Sequence, residues 1–244
     1  FRLFWLPRMD TPMHGAYMNY DFEAMVGVLV LEAQRAGAVV VGEDLGTFEP
    51  WVQDVLRDKG ILGTSVLWFE SVPPEAPRPS QQYRNLALTA VGTHDLPPTA
   101  GYLEGAHNAL RHKLGLVKES LEELNATDAV WISQVLAAAQ AEGAFDNSPL
   151  ADVDFHDRDL GEYDDVDTLV EGLTRFIAST PSAMTCTNLV DMVGDTRIQN
   201  QPGTNREMYS NWCIPLCDAS GTPVLIEDLP DVALFQRIAA ASAR

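Results

Sequence analysis

Four short apolar segments, separated by longer stretches with helical periodicity, constrain the fold of this chain more than any other feature. They occupy residues 38–41, 64–69, 86–91 and 183–190. The first segment, Ala-Val-Val-Val, has no polar alternation, which is typical of a parallel strand covered on both faces. Strands that alternate with helices are the pattern of βαβ units. The chain is therefore predicted to be an α/β protein with a parallel sheet.

The stretches between these segments carry helix start and stop signals. Asp21 is placed to cap a helix that runs to about Ala36, and Gly37 supplies the stop. The apolar positions of this helix are expected to form a broad buried face: Met25, Val28, Leu29, Leu31 and Ala33. The proline-rich stretch 73–79 is predicted to lack regular structure. Further helices are predicted from Thr47 to Gly60, over 106–141 with an interruption near residues 125 and 127, and up to about residue 179.

Four such units are too few to close an eight-stranded barrel, and the chain begins at Phe1 inside an apolar segment. Together these facts predict the second half of a (β/α)8 barrel, over residues 1–216, whose first half lies outside this chain. A helical insertion is expected at about 106–180, and a C-terminal loop and helix at 217–244. A doubly wound open sheet is the alternative, because the pattern alone does not separate the two architectures.

The charge and the cysteine content limit the binding partners and the cellular location that can be expected. The chain has 16 basic and 35 acidic side chains in 244 residues, a formal charge of −19, which argues against nucleic acid or an anionic membrane as a partner. No apolar run approaches the roughly 20 residues of a membrane helix. Three cysteines suit a reducing compartment, so a cytoplasmic location is expected. Neither Cys213 with Cys217 nor residues 157–162 match a zinc or calcium ligand pattern well, so no metal is expected.

Two acidic residues follow predicted strands directly. Glu43 comes after the first segment, and Asp95 comes after the third, behind Gly92-Thr93-His94. The carboxyl ends of parallel strands open onto the ligand site, so both carboxylates are predicted to converge on one pocket. Converging carboxylates serve glycoside chemistry, in which one protonates the leaving oxygen and another stabilises the oxocarbenium-like transition state. The alternative is that an acid after a strand only caps the next helix, as Asp44 could, and that His94 only lines the pocket wall.

Several short motifs occur in a recognisable order and spacing. They are Gly15-Ala16-Tyr17-Met18-Asn19-Tyr20, Gly42-Glu43-Asp44-Leu45-Gly46, Thr93-His94-Asp95, Asn200-Gln201-Pro202-Gly203-Thr204 and Asn211-Trp212. In these motifs the chain resembles the 4-α-glucanotransferases, also called amylomaltases or disproportionating enzymes, from Phe1 to about Leu216. Each motif is weakly specific alone, but their common order is specific.

The resemblance implies a retaining α-glucan transferase on a (β/α)8 barrel of the α-amylase type. Glu43 then stands at the position of the acid/base, Asp95 at that of the transition-state stabiliser, and His94 touches hydroxyls of the same sugar. The family nucleophile is an aspartate in an Arg-x-Asp-His motif, which this chain lacks. Asp10 does not fit that motif, so the nucleophile is expected upstream. No cofactor is implied, and the implied partners are α-1,4-glucans and the missing N-terminal half of the enzyme.

Aromatic rings near the same strand ends are candidates for sugar platforms, because sugar rings stack their C–H faces on aromatic rings. Trp68 and Phe69 end the second segment, and strand alternation lets only one of them face the pocket, with Phe69 favoured. The implied substrate-binding residues also include Asp44 and Asn200. The remaining tryptophans, Trp5, Trp51 and Trp131, are expected in the core. Cys213 departs from the family, where many relatives carry arginine.

Two other functions remain open from these residues. A chain without the nucleophile could be a non-catalytic glucan-binding or interaction module. It could also belong to an α-amylase-type hydrolase, in which water rather than a sugar is the preferred acceptor.

Overall fold

The computed structural model describes residues 2–8, 11–46, 48–156 and 158–243. Asp10, Thr47 and Asp157, which figure in the sequence predictions, lie outside the described residues. The chain divides into two compact units, Phe1–Thr64 and Ser65–Arg244. Among the described residues, no helix has both the length and the apolar composition needed to cross a bilayer.

The first unit opens with an antiparallel pair of strands. β1 (Arg2–Trp5) pairs with β2 (Ala16–Asn19), with Phe4 opposite Tyr17. The rings of Phe4 and Tyr17 meet edge to face, with their centroids 5.1 Å apart. Trp5 is 56% exposed, so the prediction that it belongs to the core is wrong. Its strand has a partner on one edge only, and all four of its residues are exposed in this unit.

Helix α1 (Phe22–Ala36) has the predicted ends. The Asp21 side chain accepts a hydrogen bond from the Ala24 N–H, and Gly37 adopts a left-handed conformation at φ 62° that ends the helix. The predicted buried face is wrong, because no residue of α1 is buried. Its apolar side chains instead form an exposed face, which is hereafter called the α1 apolar face: Met25, Val28, Leu29 and Leu31.

The predicted strand at 38–41 is also wrong. Val41 forms a single parallel bridge with Leu62, and Val39 is 67% exposed. A continuous strand needs ladder partners along its length, and only the Val41 position has one among the described residues. Helix α2 (Trp51–Asp58) follows, with Pro50 at its N-cap and Gly60 in a left-handed conformation just beyond its end. Trp51 packs against Phe22 with ring centroids 5.2 Å apart and stays partly exposed, so it too is not a core residue.

The second unit is built on a three-stranded sheet in the order β3 (Gly63–Val66), β6 (Ala87–Ala90) and β7 (Met184–Cys186). β3 enters this unit with Ser65 and Val66. β6 and β7 are parallel, with Leu88 opposite Met184, which confirms parallel pairing of the third and fourth apolar segments.

The proline-rich stretch contains regular structure, contrary to the prediction. β4 (Ser71–Val72) and β5 (Ala76–Pro77) form a short antiparallel hairpin. Arg78 closes it, since its backbone N–H donates to the Glu70 carbonyl at 3.0 Å and its Nε donates to the Glu70 carboxylate at 2.6 Å. This ion pair joins residues that flank the hairpin on both sides. It adds a contact to a hairpin in which proline lacks the N–H for a ladder hydrogen bond.

The described part of the second unit also contains six α-helices. They are α3 (Thr99–Leu103), α4 (Ala106–Lys113), α5 (Leu121–Ala141), α6 (Val166–Ala178), α7 (Leu189–Val193) and α8 (Ala233–Ala241). The predicted interruption near residues 125 and 127 is wrong, because the helices break between Lys113 and Leu121. There Gly115 is left-handed, and Ser120 with Glu123 forms a capping box that starts α5.

The core of the second unit lies around α5 and α6. Eight residues of α6 are buried, Leu173 completely. Large side chains from outside α6 are also fully buried in this unit, among them Leu103, Ile132, Leu136, Phe145 and Phe155. Trp131 lies at the edge of this core, half-buried, where its Nε1 donates to the Trp68 carbonyl at 3.1 Å. Its predicted core position is thus only partly correct.

Candidate active site

The first unit holds Glu43 and Asp44 on an irregular loop after the Val41 bridge. Asp44 is buried, and each of its carboxylate oxygens accepts a hydrogen bond. Oδ1 accepts from the Thr64 N–H at 2.8 Å, and Oδ2 accepts from Gln53 Nε2 at 2.9 Å. Thr64 Oγ1 donates in turn to the Gly42 carbonyl at 3.1 Å. These bonds anchor the loop on both sides of Glu43, whose side chain is exposed.

The predicted role of Asp44 in substrate binding stays a prediction. Its burial and its two bonds make it a residue that positions the loop. It does not cap α2 either, because that helix begins at Trp51 behind Pro50. Gly42 contributes to the same arrangement, because a Cβ there would lie 3.3 Å from Leu56 Cδ1.

The second unit brings together Asp95, His94 and Asn200. Asn200 Nδ2 donates to Asp95 Oδ1 at 2.9 Å, although 105 residues separate them in sequence. His94 Nε2 lies 3.4 Å from Asp95 Oδ2. The Asp95 N–H donates to Thr93 Oγ1 at 3.3 Å, which turns the loop after β6. Asp95 and His94 are exposed, so a ligand can reach them.

A network of side-chain to backbone bonds shapes the loop that carries Asn200. Asn211 Oδ1 accepts from the Gln201 N–H at 2.7 Å, and Asn211 Nδ2 donates to Thr204 Oγ1 at 2.8 Å. Thr204 Oγ1 donates to the Gln201 carbonyl at 2.7 Å. Two motifs that were noticed in the sequence, 200–204 and 211–212, are thus one structural unit that presents Asn200 to Asp95.

The buried carboxylate of Asp191 supports the other side of this site. Asp191 Oδ1 accepts from the Thr99 N–H at 2.6 Å, and Oδ2 accepts from Thr99 Oγ1 at 3.0 Å. These bonds satisfy the start of α3, directly after the loop that bears Asp95. Burial raises the pKa of Asp191 to about 6, against the opposing effect of the two bonds from Thr99. Sequence reasoning missed this residue, since only the tertiary contact identifies it.

The two predicted aromatic platforms differ in exposure. Trp68 is 7% exposed and packs edge to face on Tyr102, with ring centroids 4.8 Å apart. Trp68 is therefore a buried residue of the second unit, and its role in sugar binding stays a prediction. Phe69 is 56% exposed, as expected if only one of two neighbouring rings reaches solvent.

Trp212 is an aromatic residue beside Asp95 to which the sequence assigned no role. Its ring lies over that of His94, with centroids 5.7 Å apart. Trp212 and His94 line a cavity of about 300 Å³, together with Leu96, Leu189 and Ile214. Across the described parts of the chain, no cluster of three or more His, Cys, Asp or Glu side chains is arranged to hold a metal ion.

Comparisons with known proteins show the family of this chain. A family model described as 4-alpha-glucanotransferase matches residues 1–219. The 4-alpha-glucanotransferase of Mycobacterium tuberculosis is 45% identical over 237 residues, covering 94% of this chain and 30% of that protein. The protein of the same name from Haemophilus influenzae is 28% identical over 221 residues, covering 87% of this chain and 29% of its own length.

Solved structures extend the comparison to three dimensions. The crystal structure of amylomaltase from Corynebacterium glutamicum superposes with a TM-score of 0.93 at 53% identity, and the match covers all of this chain and 34% of that one. Amylomaltase from Streptococcus agalactiae in complex with acarbose matches with a TM-score of 0.56 at 17% identity, over 96% of this chain and 37% of that one, a likeness of fold.

The described residues form an α/β fold in which the loop after β6 carries Asp95. The chain belongs to the 4-alpha-glucanotransferase family. It spans about a third of the length of the relatives that it matches.

Proposed function

We propose that this chain is the C-terminal half of the catalytic (β/α)8 barrel of a 4-α-glucanotransferase of the α-amylase type. In this proposal residues 1–216 belong to the barrel, with a helical insertion at about 106–180, and residues 217–244 form a C-terminal loop and helix. The parallel pairing of β6 with β7 and the match to about a third of a solved amylomaltase support it.

The proposed reaction moves α-1,4-glucan segments between maltodextrins with retention at the anomeric carbon. Glu43 protonates the oxygen of the leaving sugar and then accepts the proton of the incoming 4-hydroxyl. Asp95 stabilises the positive charge that develops on the sugar ring. The nucleophilic carboxylate comes from the part of the enzyme outside this chain. His94, Asn200 and Phe69 bind the sugar.

The observation that carries this proposal is the hydrogen bond from Asn200 to Asp95. It joins two family motifs from distant parts of the chain in one exposed site. A carboxylate that only capped a helix would bond to nearby backbone N–H groups. Asp95 instead has one oxygen bonded to an amide side chain and the other near an imidazole, which orients it without burying it.

The proposed partner of this chain is the N-terminal half of the same enzyme. The α1 apolar face supports this, because a helix face of four exposed large apolar side chains is normally covered in a folded protein. A cytoplasmic location is part of the same proposal, and the free thiols of Cys186 and Cys213, both exposed, support it.

Glu43→Gln in the complete enzyme tests the chemistry. We expect release of glucose from maltotriose to fall by at least about a thousandfold, since an amide cannot deliver the proton that the leaving oxygen needs. A maltosyl fluoride should still react with the nucleophile, because fluoride leaves without a proton. The resulting glycosyl-enzyme should then turn over faster when azide replaces the acceptor sugar.

Glu32→Gln is the matched control, since Glu32 is an exposed acid on α1 that pairs with Arg35. Its activity on maltotriose should equal that of the parent enzyme. Near-normal glucose release by Glu43→Gln, or equal loss on maltotriose and on the fluoride, would refute the role of Glu43 as acid/base.

A further inference from the structure

The segment around Trp212 is held in an unusual backbone conformation. Trp212 has a φ of 61°, in the left-handed region that a bulky side chain rarely adopts. The Trp212 N–H donates to the Gln199 carbonyl at 2.9 Å, and the neighbouring Asn211 side chain makes the two bonds to Gln201 and Thr204 described above. The surrounding bonds therefore determine the position of Trp212 against its local preference.

Such a conformation is unfavourable for a residue with a Cβ, and glycine would adopt it without that penalty. Strained positions of this kind persist where the surrounding structure over-determines them, and they cluster at active sites and ligand-binding sites. The indole of Trp212 is 55% exposed, so the bonds that hold its backbone leave the ring accessible to a ligand.

The indole lies beside the reacting groups. One side of it contacts His94, whose own Nε2 lies near Asp95. It also borders the cavity of about 300 Å³, whose other walls include Leu96, Leu189 and Ile214. A rigid aromatic side chain at the mouth of a cavity, next to an exposed carboxylate, is a suitable surface for the apolar face of a sugar ring.

We propose that Trp212 is a specificity-determining residue that stacks on a glucose unit adjacent to the one held at Asp95. The inference rests on the proposed function, because it needs an α-1,4-glucan in the site. The left-handed backbone turns the indole toward the glucan, and the Asn211 network keeps it there. Trp212 thus favours longer dextrins as donor or acceptor, and it touches a part of the substrate that does not react.

The test compares Trp212→Ala and Trp212→Phe with the parent in the complete enzyme. Binding of maltoheptaose is measured by calorimetry, and KM and kcat are measured on maltotriose and on maltoheptaose. We expect Trp212→Ala to weaken maltoheptaose binding and raise its KM by about tenfold, with kcat within about threefold of the parent. Trp212→Phe, which keeps an aromatic face, should restore most of the affinity.

Val130→Ala is the control, because Val130 is an exposed apolar residue on α5, remote from Asp95 in sequence and absent from the cavity wall. It should leave binding and turnover unchanged. Unaltered maltoheptaose binding in Trp212→Ala would overturn the stacking role, as would equal losses in the Ala and Phe variants or a fall in kcat alone.

The two proposals fail differently. A parent enzyme that binds maltoheptaose but converts no maltotriose contradicts the transferase function, and the binding data on the variants still decide the role of Trp212. A parent that neither binds nor converts dextrins overturns both.

Discussion

The helices α1 and α6 have similar lengths and similar N-terminal caps, yet they differ completely in burial. Each begins at an aspartate whose side chain accepts a bond from a backbone N–H in the first turn, Asp21 in α1 and Asp165 in α6. α6 buries eight residues, and α1 buries none. An apolar helix face is therefore not enough to make a helix buried. A second apolar surface must also pack against that face.

The largest effect expected from this comparison is on stability. Leu173→Ala in α6 should lower the free energy of unfolding by about 2–5 kcal/mol, because it leaves a cavity in a fully buried site. Leu29→Ala on the α1 apolar face should change it by less than about 0.5 kcal/mol. Urea titration of this chain followed by circular dichroism measures both.

The same Leu29→Ala variant sharpens the proposal of a missing partner. If the N-terminal half covers α1 in the complete enzyme, Leu29→Ala should there lower the free energy of unfolding by nearly as much as Leu173→Ala does. If both variants lower the free energy of unfolding of this chain equally, the contrast in burial between α1 and α6 is wrong.

The buried carboxylate of Asp191 is expected to make the second unit sensitive to pH. Its folded pKa of about 6 lies above the unfolded value near 3.8, so the folded state binds the proton more tightly. Stability should therefore fall as pH rises from about 4 to 6, by up to about 3 kcal/mol, and this contribution should then level off.

Asp191→Asn removes the titrating group and keeps an oxygen that can accept from the Thr99 N–H. The urea midpoint of this variant should lack the decrease between pH 4 and 6 that the parent shows. If parent and variant follow the same pH curve, burial of Asp191 is not the source of the dependence.

The smallest changes in stability are expected from glycine-to-alanine variants in the two helices. The expected sign is opposite in α1 and α6. A Cβ at Gly172 in α6 would lie 2.1 Å from Phe145 Cε1. Gly172→Ala should therefore lower the free energy of unfolding by about 1–3 kcal/mol. A Cβ at Gly27 in α1 would meet nothing within 4 Å, so Gly27→Ala should stabilise by about 0.5–1 kcal/mol through helix propensity.

Thermal unfolding of the two glycine variants checks the signs. A stabilising Gly172→Ala would show that Phe145 can move aside. A destabilising Gly27→Ala would show that α1 has a close neighbour in solution.

The sequence predictions succeeded where the signal is local. The ends of α1 at Asp21 and Gly37 are confirmed, because caps act within a few residues. The break between α4 and α5 was misplaced, since Asn125 looked like a helix breaker. In the structure its Oδ1 accepts from Asn108 Nδ2 at 3.1 Å, and this contact between helices accommodates it within α5.

In the candidate site, too, local sequence signals were predicted correctly and features that depend on tertiary contacts were not. The motifs and the strand-end position of Asp95 were visible in the sequence, and the family they indicated is confirmed. Asp44 and Trp68 are buried, which the sequence did not show, because an acid and an aromatic ring next to a motif look the same in sequence whether buried or exposed. Their roles in substrate binding stay predictions. The catalytic assignments of Glu43 and Asp95 stay predictions.

The order of residues alone set the ends of α1, the third and fourth strands and the family motifs, because these depend on neighbours along the chain or on the identity of single side chains. Tertiary structure decided which apolar faces are buried, that Asp44 anchors a loop, and that Asn200 meets Asp95. Those outcomes depend on contacts between residues that are far apart in sequence. Their free energies arise only when the chain brings the partners together.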